Sequence, residues 1–176
     1  MPGSDMKGKP MVKEWLESYP AIKTIVDLGP GAATYAKYVD IDTPQREDRP
    51  PYIWKAVEIW GPYIERYALN NYYSEIRMGD IRYVEFPEGD CCIAGDILEH
   101  LPREDFIKTF KKIDSQFKYV VLAIPINLLS TPEEFKENPF EKHVSYWDQD
   151  ELDSIFVGYK KVVVDPCVYY FKAEVE

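Results

Sequence analysis

Cysteine, histidine and positive charge are all scarce in this chain of 176 residues, and each scarcity excludes a class of protein. The three cysteines, Cys91, Cys92 and Cys167, are too few for a disulfide framework. Cys91 and Cys92 are adjacent in an apolar run and cannot face one partner, so burial as small apolar residues is the expectation for all three. The two histidines, His100 and His143, come with no cysteine pair at ligand spacing, and no metal site is expected. Lys and Arg number 21 against 31 Asp and Glu, a formal charge of -10 with a pI near 4.8. That balance opposes a grip on phosphate backbones, so a nucleic-acid partner is not expected. No apolar run approaches the ~20 residues of a membrane-crossing helix, and no charged-then-apolar leader precedes the first patterned segment. The expectation is a cytoplasmic protein without membrane contact, its oligomeric state left open.

What remains is the composition of a globular chain, 45% apolar and 30% charged. A chain of this length buries roughly 70% of its unfolded surface as one domain. Residues 1–10 are polar and unpatterned and read as a disordered tail, leaving 11–176 as a single domain. Helical patterns fall at 11–18, 31–39, 62–70, 103–114 and 148–156, and strand patterns at 23–28, 52–59, 74–78, 90–95, 118–124, 159–164 and 167–174. Strands alternating with helices predict right-handed crossovers and a mainly parallel sheet. The last two strands are separated only by Asp165-Pro166, a hairpin-length break, so the final strand is expected to run antiparallel. Two polar, proline-bearing stretches, 40–51 and 127–142, read as a surface loop and as a loop or lid.

Chemistry concentrates where strands end. In Ile25-Val26-Asp27-Leu28-Gly29-Pro30-Gly31 an apolar strand breaks into a glycine turn, where bare backbone lets a nucleotide-like ligand approach closely. A dinucleotide fingerprint wants a third glycine where Thr34 stands, and Asp27 would repel a pyrophosphate. A cationic ligand suits Asp27 better, which favours S-adenosylmethionine over a nicotinamide cofactor. Glu58 ends the second strand before Gly61-Pro62 and is placed to accept ribose hydroxyls, with Ile59 beside the adenine. Gly79-Asp80-Ile81 follows the third strand, and Asp80 could accept the adenine amine with Ile81 against the ring. Gly95-Asp96-Ile97-Leu98-Glu99-His100 follows the fourth.

Taken in order, Asp27-Leu28-Gly29-Pro30-Gly31, Glu58, Gly79-Asp80-Ile81 and Gly95-Asp96-Ile97-Leu98-Glu99-His100 resemble the successive cofactor motifs of class I S-adenosylmethionine-dependent methyltransferases. Val120 to Pro125 resembles their fifth strand, and His143 to Asp148 the segment before their last large helix. The resemblance implies an α/β, Rossmann-like doubly wound sheet of seven strands, the last antiparallel. It implies S-adenosyl-L-methionine as cofactor, held by Asp27, Gly29, Gly31, Glu58, Ile59, Asp80, Ile81, Asp96 and Leu98. The family's third glycine is Ala33 here, small enough to keep the turn close to the ligand.

Methyl transfer is an in-line displacement that relies on positioning, with a base needed when the acceptor is a hydroxyl. His100, following the fourth strand, is the candidate base because an unperturbed histidine titrates near neutrality; Glu99 would orient it or touch the substrate. His143, beside Tyr146 and Trp147, is a candidate substrate contact. Packing roles for His100 and His143 compete with these. The expected function is methylation of a small-molecule acceptor, on oxygen. The rival is a methyltransferase-like module that binds cofactor or a partner protein without turnover.

Overall fold

The computed structural model describes residues 6–42, 50–126 and 136–174. Most of the predicted surface loop at 40–51, most of the predicted lid at 127–142 and the first five residues of the predicted tail therefore lie outside the described residues. Seven strands, β1 (Thr24–Leu28), β2 (Ile53–Glu58), β3 (Glu75–Met78), β4 (Cys91–Gly95), β5 (Tyr119–Pro125), β6 (Lys160–Val164) and β7 (Cys167–Ala173), form one sheet. Their order is β3-β2-β1-β4-β5-β7-β6. The first five pair in parallel, whereas β7 runs antiparallel to both β5 and β6. Five α-helices accompany them among the described residues: α1 (Lys9–Glu17), α2 (Thr34–Lys37), α3 (Gly61–Arg66), α4 (Arg103–Gln116) and α5 (Gln149–Ile155).

The central strands are apolar because both faces of the sheet are covered, as parallel sheets require. Along β1, β4 and β5, Val26, Leu28, Cys92, Ala94, Val120 and Leu122 pack on one side with Phe106, Phe110 and Ile113 of α4 and Leu152 of α5. Ile25, Cys91, Ile93, Val121 and Ala123 pack on the other with Val12 and Leu16 of α1 and Tyr35 and Ala36 of α2. The adjacent Cys91 and Cys92 therefore point to opposite faces, and both are buried, as is Cys167.

Three helix boundaries depart from the sequence reading. Ala33 is left-handed, at φ 58°, so α2 starts only at Thr34 and continues as a wider π-type turn over Tyr38–Asp42. Ala68, at φ 50°, stops the predicted 62–70 helix; α3 ends at Arg66 and a 3-10 turn covers Leu69–Asn71. At the N-terminus the helix begins earlier than the boundary at residue 11. Pro10 sits in the first turn, where its fixed φ is preorganised and its missing N–H costs nothing, so Lys9 and Pro10 are helical rather than part of a tail.

Phe106 is fully buried, with its ring 4.5 Å from that of Trp147 and 6.0 Å from that of Phe156, and so ties α4 to the segment leading into α5. Phe106→Ala should destabilise the chain by about 3–5 kcal/mol in urea unfolding, the range for a large core deletion. A loss below about 1 kcal/mol, the level of a surface substitution, would show that this junction is not part of the cooperative core.

Candidate active site

Parallel strands all present their carboxyl ends at one edge, which is where an open α/β sheet places its ligand crevice. The loops leaving that edge are stitched together by main chain: Gly29 N–H donates to the Val57 carbonyl (2.9 Å), Gly79 N–H to that of Glu58 (3.0 Å) and Asp96 N–H to that of Ala123 (2.9 Å). Asp27, Glu58, Asp80 and Asp96 thereby come to one rim.

The turn after β1 has a backbone that most side chains resist. Gly29 lies at φ 67° and Gly31 at φ 49°. A Cβ on Gly29 would also sit 2.5 Å from Ile97 Cδ1, so the glycine lets the turn lie directly against the loop after β4. Glu58 holds the turn from the other side. Its carboxylate is buried, accepts the Trp60 N–H at 2.7 Å and draws on the amides of Gly31 and Ile59. Burial pushes the Glu58 carboxyl up to about 7, with those amides opposing the shift and Glu141 adding to it. Asp27 is likewise buried, accepts the Tyr73 hydroxyl at 2.7 Å and is raised to about 6 by desolvation, against the pull of Tyr73 and the Lys9 charge.

The remaining cofactor candidates divide. Ile59 is half-buried on the rim. Asp80 is held by Arg82, whose backbone N–H and two guanidinium nitrogens donate to it while the third guanidinium nitrogen reaches Asp105 at 3.0 Å. Asp96 is left-handed at φ 53° and accepts from Cys167 Sγ at 3.4 Å. Ile81 and Leu98 belong to the apolar core under α4. Leu98 is fully buried there.

Beside this cradle, Glu99, His100 and His143 form one cluster, although sequence reading placed the two histidines in separate regions. The backbone explains the meeting. The carbonyl of Glu99, in the 3-10 turn Leu98–His100, accepts the N–H groups of Val144 (3.0 Å) and Ser145 (3.1 Å) and the Ser145 hydroxyl (3.3 Å). Arg103 closes the arrangement: it donates to the Tyr146 carbonyl, pairs with Glu151 at 2.6 Å and lies 4.2 Å over the Trp147 ring. The imidazoles are thus 4.8 Å apart, with His143 Nε2 3.8 Å and His100 Nε2 4.0 Å from Glu99 Oε1.

Glu99 is 1% exposed, and neither carboxylate oxygen accepts a hydrogen bond, so burial and the nearby Asp96 hold its carboxyl well above the usual range. Burial lowers His100 to about 4, so its imidazole is neutral through the physiological range instead of titrating near neutrality. A neutral imidazole accepts a proton or coordinates a cation. One ligand atom from each of Glu99, His100 and His143 lies within 4.8 Å of the others, a set that could hold a metal ion, in contrast to the expectation of none.

Sequence reading missed Lys9, Tyr35 and Tyr73, which line the inner side of the cradle. Lys9 was set aside in the polar tail, and its single signal was the Pro10 that follows it. Both tyrosines are buried.

No protein-family model matches the chain, and no curated protein matches its sequence. Solved structures do resemble it. The N-terminal domain of EvdMO1 with SAH bound superposes at TM-score 0.66 and 13% identity, over 97% of this chain and 83% of that one. The methyltransferase domain of bacterial CtHen1-C gives 0.65 and 15%, over 96% and 98%. The N-methyltransferase NodS from Bradyrhizobium japonicum WM9 gives 0.61 and 10%, over 94% of each chain. The seven-stranded sheet with its antiparallel β7, expected from the strand pattern and from the family resemblance, is the fold of the class I S-adenosylmethionine-dependent methyltransferases.

Proposed function

We propose that the chain is an S-adenosylmethionine-dependent methyltransferase acting on the oxygen of a small-molecule acceptor. The observation that carries the reading is the joining of two half-sites by Ile97: an acid-rimmed glycine turn touches it on one side, and the Glu99, His100 and His143 cluster follows it on the other. When bound, the cofactor supplies a methyl group on a sulfonium that departs as a neutral thioether. Glu58 would accept the ribose hydroxyls, Asp80 the adenine amine, and Asp27 would face the positive charge of the amino-acid tail. His100, the neutral imidazole of the cluster, would take the proton of an acceptor hydroxyl, with Glu99 and His143 holding that hydroxyl in line. The charge of -10 favours a small acceptor over a phosphate backbone, although CtHen1-C belongs with a small RNA methyltransferase, HEN1, among the similar structures. A module without turnover is the alternative of a different class.

A second reading of the same cluster is favoured by the Glu99 carboxylate, buried and without a donor. One carboxylate and two imidazoles suit a divalent cation that takes nitrogen and oxygen ligands. Such an ion supplies a positive charge that lowers the pKa of a bound hydroxyl.

Transfer of a radiolabelled methyl group into a metabolite extract separates these possibilities. His100→Gln should retain cofactor binding and lose turnover by roughly 10²-fold or more, the scale of general-base catalysis. Turnover abolished by a chelator and restored by added divalent metal would assign the imidazoles to a cation; indifference to the chelator would leave His100 as the base. No transfer by the parent protein, with cofactor binding intact, would favour the non-catalytic module.

Glu58 offers two further measurements. Losing a charged acceptor from a desolvated site costs about 1.5–3 kcal/mol, so Glu58→Ala should weaken S-adenosylhomocysteine binding roughly ten- to a hundred-fold by calorimetry. The carboxyls of Glu58 and Asp27 are raised on folding, from 4.5 to about 7 and from 3.8 to about 6, so the folded state binds protons more tightly than the unfolded one. Their contribution to stability is full below the unfolded values and is lost as pH rises through the folded ones. Urea stability of the ligand-free protein should therefore decline between about pH 4 and pH 7, and Glu58→Gln should flatten that decline. An identical slope in parent and variant would show Glu58 to be ionised throughout.

A further inference from the structure

We propose that Arg82 and Asp105 are positioning residues for Asp80, which they leave with a single acceptor site, so that the crevice selects a purine whose exocyclic group is an N–H donor. The proposal rests on the reading above that Asp80 meets the adenine amine, and it adds two residues that no cofactor motif supplies.

The acids of the rim are carried on unequal supports. β1, β2 and β4 each have a strand on both sides, whereas β3 lies at the edge of the sheet among the described residues, is four residues long and has no buried residue. An acid at the end of such a strand needs support from elsewhere, and α4 provides it. Asp105 stands in the first turn of α4 next to Phe106, which is fully buried, so the core fixes its backbone. Arg82 Nη1 donates to the Asp105 carboxylate at 3.0 Å. Two turns further along the same face of α4, Lys112 Nζ donates to the Val84 carbonyl and holds the far end of the turn that follows Asp80.

Arg82 in its turn grips Asp80. Asp80 Oδ1 accepts the Arg82 backbone N–H at 2.9 Å, Oδ2 accepts from Nη2 at 2.6 Å, and Nε lies 3.0 Å from both oxygens. Three donor hydrogens thus meet a carboxylate that has about four acceptor positions. One position is left, and the planar fork of the guanidinium fixes where it points. Ion pairs as exposed as these add little to stability, so what the arrangement gains is orientation. Partial burial would raise the Asp80 carboxyl, yet the bonds from Arg82 hold it below its ordinary value, in contrast to the raised Asp27 and Glu58. Asp80 is therefore an ionised acceptor with room for one N–H. An adenine amine supplies that hydrogen, whereas a carbonyl in its place would set two acceptors against each other.

The test compares S-adenosylhomocysteine with its deaminated analogue, S-inosylhomocysteine, in which a ring carbonyl replaces the amine. By calorimetric titration the parent should prefer S-adenosylhomocysteine by roughly 10- to 100-fold, the scale of a hydrogen bond to a charged group. Arg82→Met should reduce that preference several-fold by weakening S-adenosylhomocysteine. Asp105→Ala should act in the same direction, and Asp105→Asn, which keeps an oxygen for the guanidinium, should restore most of the preference; these two variants keep the test decisive if Arg82→Met does not fold. Lys112→Met loosens the same turn without touching Asp80, so it should lower the melting temperature and leave the preference unchanged. A preference that survives Arg82→Met intact, or that falls as far in Lys112→Met, would make Arg82 an ordinary part of the turn's packing and overturn the proposal. Tighter binding of S-adenosylhomocysteine by Arg82→Met would overturn it too, because the guanidinium would then be competing with the ligand for Asp80. A parent that binds both ligands equally rules out the proposal and leaves the methyltransferase reading standing. Failure of the parent to bind either ligand overturns both.

Discussion

A parallel sheet covered on both faces has one place for polar chemistry, the ends of its strands, and the layout of this molecule follows from that constraint. β1, β4 and β5 spend their side chains on two apolar layers, one against α4 and α5 and one against α1 and α2. Backbone groups inside the sheet are consumed by pairing. What is left is the carboxyl rim, where Gly29, Gly79 and Asp96 each turn their first free N–H back onto a neighbouring strand. The acids that follow are therefore carried by a rigid frame rather than by independent loops, which gives a binding site the fixed geometry that in-line transfer needs.

Several carboxyls at and beside the rim are also in an unusual state. Asp27, Glu58, Glu99 and Glu141 are all shifted upward, with desolvation the largest cause in each. A surface rich in acid gains little from that acidity in water, where exposed charges are screened. Inside the crevice the same charges interact through a weaker dielectric and favour ligands that bring positive charge or hydrogen-bond donors with them. The chain's overall negative charge and the selectivity of its site are thus separate properties, even though both come from Asp and Glu.

Most of the frame was legible in the sequence because its signals are local. Cys91 to Ala94 and Val120 to Ile124 are apolar without alternation, the mark of strands covered on both faces, and Asp165-Pro166 leaves room only for a hairpin. The helix ends were less legible, since nothing in their composition announces that Ala33 and Ala68 turn left-handed. The acids of the cradle could be read one strand end at a time. The cluster of Glu99, His100 and His143 could not, because its assembly depends on hydrogen bonds between the Glu99 carbonyl and residues as far as 46 positions away. Lys9 was hidden for a similar reason: a polar residue in a polar segment carries no sign that the segment will fold back over the sheet.

That tether between the Glu99 carbonyl and the amides of Val144 and Ser145 has a consequence for how the protein can change. Main-chain bonds do not depend on which side chains are attached, so the two segments meet whatever stands at positions 99, 100 and 143. Their chemistry can be exchanged one residue at a time while the scaffold keeps its shape. Folding and reactivity are in this way uncoupled at the acceptor side of the crevice, and a lineage carrying this framework is free to explore new reactions there without first having to find a new fold.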